Sequence, residues 1–202
     1  MRKFIVASHN IGKLFELQSI LSGLPAELLT LGDVVPEFTV AETGHTYAEN
    51  ARLKAQAAAV ASGLVALGDD SGLEVEALGG APGIFSARYA GAGASDAARR
   101  SKLMEALRAV PAPRRARFRC ALVVAVPGGE VRTFEGACEG EIIFEERGHN
   151  GFGYDPIFYL PAHGRTMAEL PPELKNQISH RARATLAAKP YLEHLAGEET
   201  NR

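Results

Sequence analysis

The stretch Gly68-Asp69-Asp70-Ser71-Gly72-Leu73-Glu74-Val75 constrains this chain more than any other. An apolar run, Leu64-Val65-Ala66-Leu67, leads into it, and the bounding Gly63 and Gly68 make that run read as a short buried strand. Two adjacent carboxylates follow where the run ends. Side chains alternate faces along a strand, so at most one of the two acids should aim into a given pocket. Two acids, a hydroxyl and a glycine at a strand end suit a divalent metal bound to phosphate, because hard cations prefer oxygen ligands. The same residue types also make an ordinary turn between strands. On this stretch alone both readings stand.

The preceding chain adds phosphate chemistry. Phe4-Ile5-Val6-Ala7 reads as a buried first strand. Ser8-His9-Asn10-Ile11-Gly12-Lys13 then opens an amphipathic helix with Leu14, Leu17, Ile20 and Leu21 on one face. A strand–loop–helix aims backbone N–H groups and the positive helix end at an anion, and Lys13 adds a point charge. The glycine spacing is not that of a Walker A loop. A plain turn with a solvated Lys13 is the alternative. Ala26 to Leu31 reads as a second strand. Thr46 and Glu49 fit a capping box for an alanine-rich helix running to about Ser62, with Gly63 as its stop. Glu42 lies just upstream, free to act as a ligand, and Asn50 and Lys54 share a helical face.

Beyond the carboxylates, Leu73 to Ala77 should continue as strand before a glycine-rich loop, Leu78 to Gly83. Ser95 caps a helix from about Asp96 to Val110. Arg117–Val126 and Val131–Cys138 read as strands joined by a hairpin at Pro127-Gly128-Gly129-Glu130, with a further strand at Glu141–Phe144. His149 to Pro156 is a second glycine-rich loop carrying Phe152, Tyr154 and Asp155. An aromatic ring held between glycines can lie flat on a planar base; the alternative is a packed turn with both rings in the core. Thr166 and Glu169 repeat the capping-box pattern, and Pro171-Pro172 starts a short acidic helix. Lys175 to Arg181 presents donors, with Ser179 as N-cap of a last helix that Pro190 should kink or split.

The 202 residues show no repeat, linker or low-complexity segment, so one domain spanning 1–202 is the simplest reading. A net charge of −2 argues against broad nucleic-acid or anionic-membrane binding. The local cluster Arg114, Arg115, Arg117 and Arg119 reads as a solvated strand edge. Cys120 and Cys138 lack metal-type spacing and read as free buried thiols in a reducing compartment. No segment is long and apolar enough to span a bilayer, and the N-terminal apolar run is too short for a signal peptide. The expectation is a soluble cytoplasmic protein.

In this order the motifs carry a resemblance. Ser8-His9-Asn10-Ile11-Gly12-Lys13, Glu42-Thr43-Gly44, Glu49-Asn50-Ala51, Asp69-Asp70-Ser71-Gly72-Leu73, Gly80-Ala81-Pro82-Gly83 with Ser86-Ala87-Arg88-Tyr89, Gly151 to Pro156, and Ile178-Ser179-His180-Arg181 together resemble the inosine triphosphate pyrophosphatases. Members of that family cleave non-standard purine nucleoside triphosphates such as ITP, dITP and XTP to the monophosphate and pyrophosphate. The match covers nearly the whole chain. It implies an α/β fold: a long curved mixed β-sheet flanked by helices, in two lobes with a central substrate cleft, usually as a homodimer.

The resemblance also implies roles. Ser8, His9, Asn10, Ile11, Gly12 and Lys13 would wrap the triphosphate with Lys54. Glu42 and Asp70 would hold Mg²⁺, Asp70 would accept the proton from the attacking water, and Ser71 would touch substrate. Phe152, Gly153, Tyr154, Asp155, Lys175, His180 and Arg181 would surround the base. Arg181, a permanent donor, would match the C6 oxygen of inosine or xanthosine and oppose the amino group of adenosine. Two departures are visible: Ser8-His9 stands where many members have Thr-Gly, and Pro190 interrupts a helix that is often continuous. A pyrophosphatase for another modified nucleotide and a non-catalytic nucleotide-binding regulator are the alternatives. The binder would need no base near the phosphates.

Overall fold

In the computed structural model, which describes residues 1–35 and 39–197, the first apolar run forms strand β1 (Arg2–Val6). Asn10 caps helix α1 (Ile11–Ile20) by accepting the Lys13 N–H. Strand β2 (Ala26–Thr30) follows, then a single helical turn, α2 (Leu31–Val34), closed by a Thr30–Asp33 capping box. Helix α3 (Tyr47–Ser62) starts at Thr46 and ends at Gly63, whose φ of 68° is left-handed and suits glycine. The Glu49 carboxylate returns its capping bond to the His45 N–H at 2.6 Å, one residue earlier than the expected box.

Strand β3 (Val65–Val75) comes next, then helix α4 (Asp96–Ala106) and strands β4 (Arg115–Ala125) and β5 (Val131–Ile142). Short strands β6 (Phe158–Leu160) and β7 (Arg165–Thr166) precede helices α5 (Pro172–Ile178) and α6 (His180–Gly197). The seven strands are ordered β2-β1-β3-β4-β5-β6-β7. β1 runs parallel to β2 and β3, while β6 is antiparallel to β5 and β7, so the sheet is mixed and the class α/β, as expected.

Several boundaries differ from the sequence reading. β3 does not end at the carboxylates: Asp69 and Asp70 lie inside an eleven-residue strand that stops at Val75, and Glu76–Leu78 turns as a 3₁₀ helix. The strand is buried from Val65 to Asp70, and its first residues pair with Phe4, Ile5 and Val6. An extended backbone is therefore satisfied where composition alone read a turn. The further strand expected at Glu141–Phe144 begins as part of β5. Arg115, Arg117 and Arg119 of the arginine cluster lie on β4, an interior strand, where Arg117 reaches Glu74 at 2.7 Å and Arg119 reaches it at 3.8 Å. α6 continues through Pro190 without splitting.

The chain forms two compact units. Unit 1 takes Met1–Asp70, Cys120–Gly136 and the chain from Arg181 onward. Its core joins Phe4 and Val6 of β1, Leu17 of α1, Leu67 of β3, Leu122 and Val124 of β4, and Leu192 of α6. Unit 2 takes Ser71–Arg119 and Ala137–His180, around Leu73, Leu103, Phe118, Ile142, Phe158 and Leu170. Both cysteines are free and buried. Among the described residues no helix is long and apolar enough to cross a membrane.

Within unit 1 the packing of α3 on β3 is set by small residues. A Cβ at Gly68 would stand 2.2 Å from the Ala51 carbonyl oxygen and 2.8 Å from the Ala55 nitrogen. Ala51, Ala55, Ala58 and Ala59 form the buried stripe of the helix, which explains its alanine content. Because the opposing atoms are backbone, Gly68→Ala cannot be absorbed by a rotamer change. The expected cost is about 1–3 kcal/mol, read as a lower midpoint in urea unfolding, with turnover falling as α3 is displaced. A variant as stable as the wild type would refute this close approach.

Candidate active site

Alternation along β3 gives the two adjacent acids separate partners, as the sequence pattern required. Asp69 is wholly buried in unit 1. Its carboxylate accepts from Lys13 Nζ at 2.5 Å, Arg181 Nε at 2.9 Å and the Cys120 thiol at 3.1 Å. The Arg181 guanidinium also donates through Nη1 to Glu16 Oε2 at 2.5 Å. Burial pushes the Asp69 carboxyl up, but Arg181 and Lys13 together outweigh burial and hold it well below the usual carboxylate range. A depressed folded-state value means that Asp69 contributes stability in full above about pH 4. That contribution is lost only as the pH falls through the lowered value. The Cys120 thiol is pushed well up, by burial first and by Asp69 second.

Asp70 belongs to a different cluster. Its carboxylate accepts from Lys54 Nζ at 3.2 Å and lies 3.5 Å from Asn50 Nδ2. Lys54 Nζ also donates to Glu42 Oε1 at 2.9 Å and to the Asp69 carbonyl oxygen at 2.6 Å. One ammonium is thus enclosed by oxygens from two carboxylates and a main-chain carbonyl. Burial raises the Asp70 carboxyl above its ordinary value despite the opposing lysines Lys54 and Lys13, and Glu42 raises it further. Burial works against the charge on Lys54, but Asp70 and Glu42 outweigh it, so this ammonium is held more firmly than an ordinary lysine. Asn50 places the Glu42 segment by accepting the Gly44 N–H at 2.8 Å.

The phosphate-type loop leads into the same unit. Ser8 Oγ accepts the Asn10 N–H at 3.1 Å, and Asn10 Oδ1 accepts the Lys13 N–H at 3.0 Å. His9, Asn10 and Ile11 are exposed, while Ser8 and Gly12 are half-buried. The Lys13 side chain is only 14% exposed and is committed to Asp69, so a freely solvated Lys13 is excluded.

Unit 2 gathers most of the residues assigned to the base. Asp155 Oδ2 accepts the Phe152 N–H at 2.9 Å and Lys175 Nζ at 2.6 Å, and that ammonium lies 5.0 Å from the centroid of the Phe152 ring. Gly151 is required here. Its φ is +76°, and a Cβ would come within 2.1 Å of Asp155 Oδ2. His180 stacks on Phe118 at 4.6 Å with an interplanar angle of 14°. Ser71, the first residue of unit 2, is half-buried on β3. The two loop aromatics part company. Phe152 is half-buried, whereas Tyr154 is a core ring whose hydroxyl donates to the Ser86 carbonyl at 2.9 Å.

Two placements refine the sequence reading. Tyr154 sits in the core of unit 2, which leaves Phe152 as the loop's half-buried ring. Arg181, expected beside the base, is wholly buried in unit 1 with its guanidinium on Asp69 and Glu16. Charge complementarity in a buried setting commits its donors to carboxylates. Asp69, Glu16 and Asn50 were not among the candidate site residues. Asp69 is the unassigned half of the Asp-Asp pair, and Asn50 stands in the Glu49-Asn50-Ala51 motif and shares a face with Lys54 but carries no assigned role. Glu16 carried no signal beyond being an acid near Lys13.

The chain is similar to known proteins over nearly its whole length. The Ham1 family model matches residues 4–191. A dITP/XTP pyrophosphatase from Geobacter sulfurreducens is 50% identical over 194 residues, 95% of this chain and 97% of that protein. A protein of the same name from Bacillus subtilis is 45% identical over 96% of this chain and 98% of its own length. A solved structure of a HAM1 protein from Coxiella burnetii superposes with a TM-score of 0.87 at 45% identity, covering 96% of this chain and 100% of that one. With the family model spanning almost the whole chain and relatives this close, the chain belongs to the Ham1 family.

Proposed function

We propose that this protein is a nucleoside triphosphate pyrophosphatase that hydrolyses non-standard purine nucleotides, ITP, dITP and XTP, to the monophosphate and pyrophosphate, so clearing them from the nucleotide pool. The observation that carries the reading is the Lys54 ammonium held by Glu42, Asp70 and the Asp69 carbonyl. That cradle of oxygens already accommodates a positive charge and carries more negative charge than Lys54 supplies. Its donor set suits Mg²⁺, a hard cation, with Glu42 and Asp70 as the residues that would hold it. When bound, such an ion neutralises phosphate oxygens and orients the triphosphate.

The chain's own groups supply the rest. Lys13, Lys54 and the N–H groups at the start of α1 offset the charge of the phosphates. Water attacks the α-phosphorus, its proton passes to Asp70, and the bond between the α-phosphorus and the bridging oxygen breaks to release pyrophosphate. Burial makes Asp70 a stronger base than an exposed aspartate, which suits it to accept that proton. The Phe152 ring offers a stacking face for the purine, and Lys175 and His180 flank that function in unit 2. The homodimeric state and cytoplasmic location implied by the resemblance belong to the same reading. Sedimentation of the purified protein checks the first.

Asp70→Asn preserves shape but removes basicity and charge. Its kcat for pyrophosphate release from dITP should fall by about 10²–10⁴ with the fold intact. Activity within a few-fold of wild type would end the assignment. Excess EDTA should abolish turnover, and Mg²⁺ should restore it. Persistence in EDTA would exclude the metal.

Arg181→Met gives a different pattern. It leaves Asp69 and Glu16 short of a cation, so stability should drop by about 3–5 kcal/mol. Because the guanidinium serves carboxylates, kcat/KM for ITP and ATP should decline by similar factors. A loss confined to ITP, with normal stability, would return Arg181 to the base.

A further inference from the structure

Helix α4 has a connection to the loop that carries Phe152 that none of the roles above uses. Asp96, at the first position of α4, accepts the Gly153 N–H on Oδ2 at 2.8 Å. Arg100, one turn on and on the same helical face, donates from Nη1 to the Gly153 carbonyl at 2.9 Å. Both polar groups of one glycine are therefore held by charged side chains from one helix. Each clamp is itself braced. Asp96 Oδ1 accepts from Arg99 at 2.6 Å, and Arg100 makes a two-pronged pair with Glu146 at 2.9 Å on both prongs. Just before the glycine, the Phe152 N–H is held by Asp155 at 2.9 Å. Three main-chain polar groups of the loop are thus fixed from the side.

We propose that Asp96 and Arg100 are positioning residues for base recognition, ordering the Gly151–Asp155 loop so that the Phe152 ring is in place before substrate arrives. The proposal rests on the reading of Phe152 as the stacking residue. Its physical basis is entropic. A loop with left-handed glycines at 151 and 153 has more conformations to lose than other backbone. If that freedom survived in the free enzyme, binding the base would have to overcome it, and affinity would fall. Charge-assisted bonds to both sides of Gly153 remove the freedom in advance. Neither residue touches the nucleotide; both act through Phe152.

The test uses Asp96→Ala, Asp96→Asn, Arg100→Met and Glu146→Gln in the full chain, with dITP as substrate and inorganic tripolyphosphate as a competitor that lacks a base. The chain has no tryptophan, so Phe152→Trp adds a single fluorescent reporter of loop order. In Asp96→Ala and Arg100→Met, KM for dITP should rise by about ten- to a hundredfold. In the same variants kcat and the tripolyphosphate inhibition constant should hold within a few-fold, and the reporter's anisotropy should drop. Asp96→Asn keeps an acceptor and should recover most of the loss. Should Asp96→Ala fail to fold, Glu146→Gln loosens Arg100 without touching Gly153, and it should show a smaller rise in KM of the same kind. KM and the tripolyphosphate constant rising together would overturn the proposal as a general folding defect, as would unchanged KM or unchanged anisotropy. A wild-type enzyme that does not turn over dITP would overturn both the proposal and the reading it rests on, a result distinct from normal wild-type turnover with unaffected variants.

Discussion

A carboxylate with almost no access to water is the constraint on which unit 1 depends. Asp69 lies inside a strand, 1% exposed, and an isolated ion there would cost far more than a domain's net stability. It is tolerated because Lys13 and Arg181 bring two positive charges and Glu16 balances part of the excess. Those partners come from α1 and α6, with the Cys120 thiol of β4 as a further donor. The cluster therefore fixes the start of α1, where Lys13 and the Ser8–Gly12 turn lie, relative to the strand that carries Asp70. A buried pair of this kind is a poor source of net stability but a strict geometric requirement, since removing one partner strands the other.

The second constraint is steric and acts on the preceding residue of the same strand. Gly68 admits the backbone of α3 at Ala51 and Ala55. The residues of that helix just before each contact alanine, Asn50 and Lys54, then reach Asp70 and the Asp69 carbonyl. A missing side chain on the strand and a run of methyl side chains on the helix thus determine where an ammonium sits. The two constraints are adjacent in sequence and act on neighbouring residues, which is why the Gly68–Gly72 stretch is so dense in unusual residues.

Much of this was legible in the sequence, but unevenly. The strands β1 and β2, the caps of α3 and α4 and the α/β class followed from local pattern, because periodicity and capping depend on near neighbours. The split of Asp69 from Asp70 followed from strand alternation alone. The continuation of β3 through both acids did not, because Asp-Asp-Ser-Gly has turn composition and only its place inside the sheet and burial by α3 override it. The buried setting of Arg181 was not legible for a related reason. Its position beside His180 suggested a shared task, yet His180 stacks on Phe118 in unit 2 while Arg181 reaches back to Asp69, 112 positions earlier, in unit 1. Adjacent residues at the start of a helix point about 100° apart, and nothing local to the sequence says which of them finds a distant carboxylate. Phe152 and Tyr154 differ in the same way. Both are aromatics between glycines, and only the Ser86 carbonyl that receives the Tyr154 hydroxyl assigns that ring to the core.

The remaining asymmetry is one of charge, and it bears on chemistry. At Asp69 two cations meet a buried carboxylate, and its proton affinity is driven down. At Asp70 one ammonium is shared by two carboxylates, and burial drives its proton affinity up. Neighbouring acids of identical chemistry are thereby given opposite tendencies by their surroundings. An acid that stays ionised serves as a fixed anchor for cations, whereas one whose proton affinity is raised is suited to accept a proton during reaction. The environment, not the residue type, therefore separates the two acids, in keeping with the role proposed for Asp70. The Asp69 oxygens are already committed to three donors, so it could not take a proton from water without first giving up Lys13, Arg181 or Cys120.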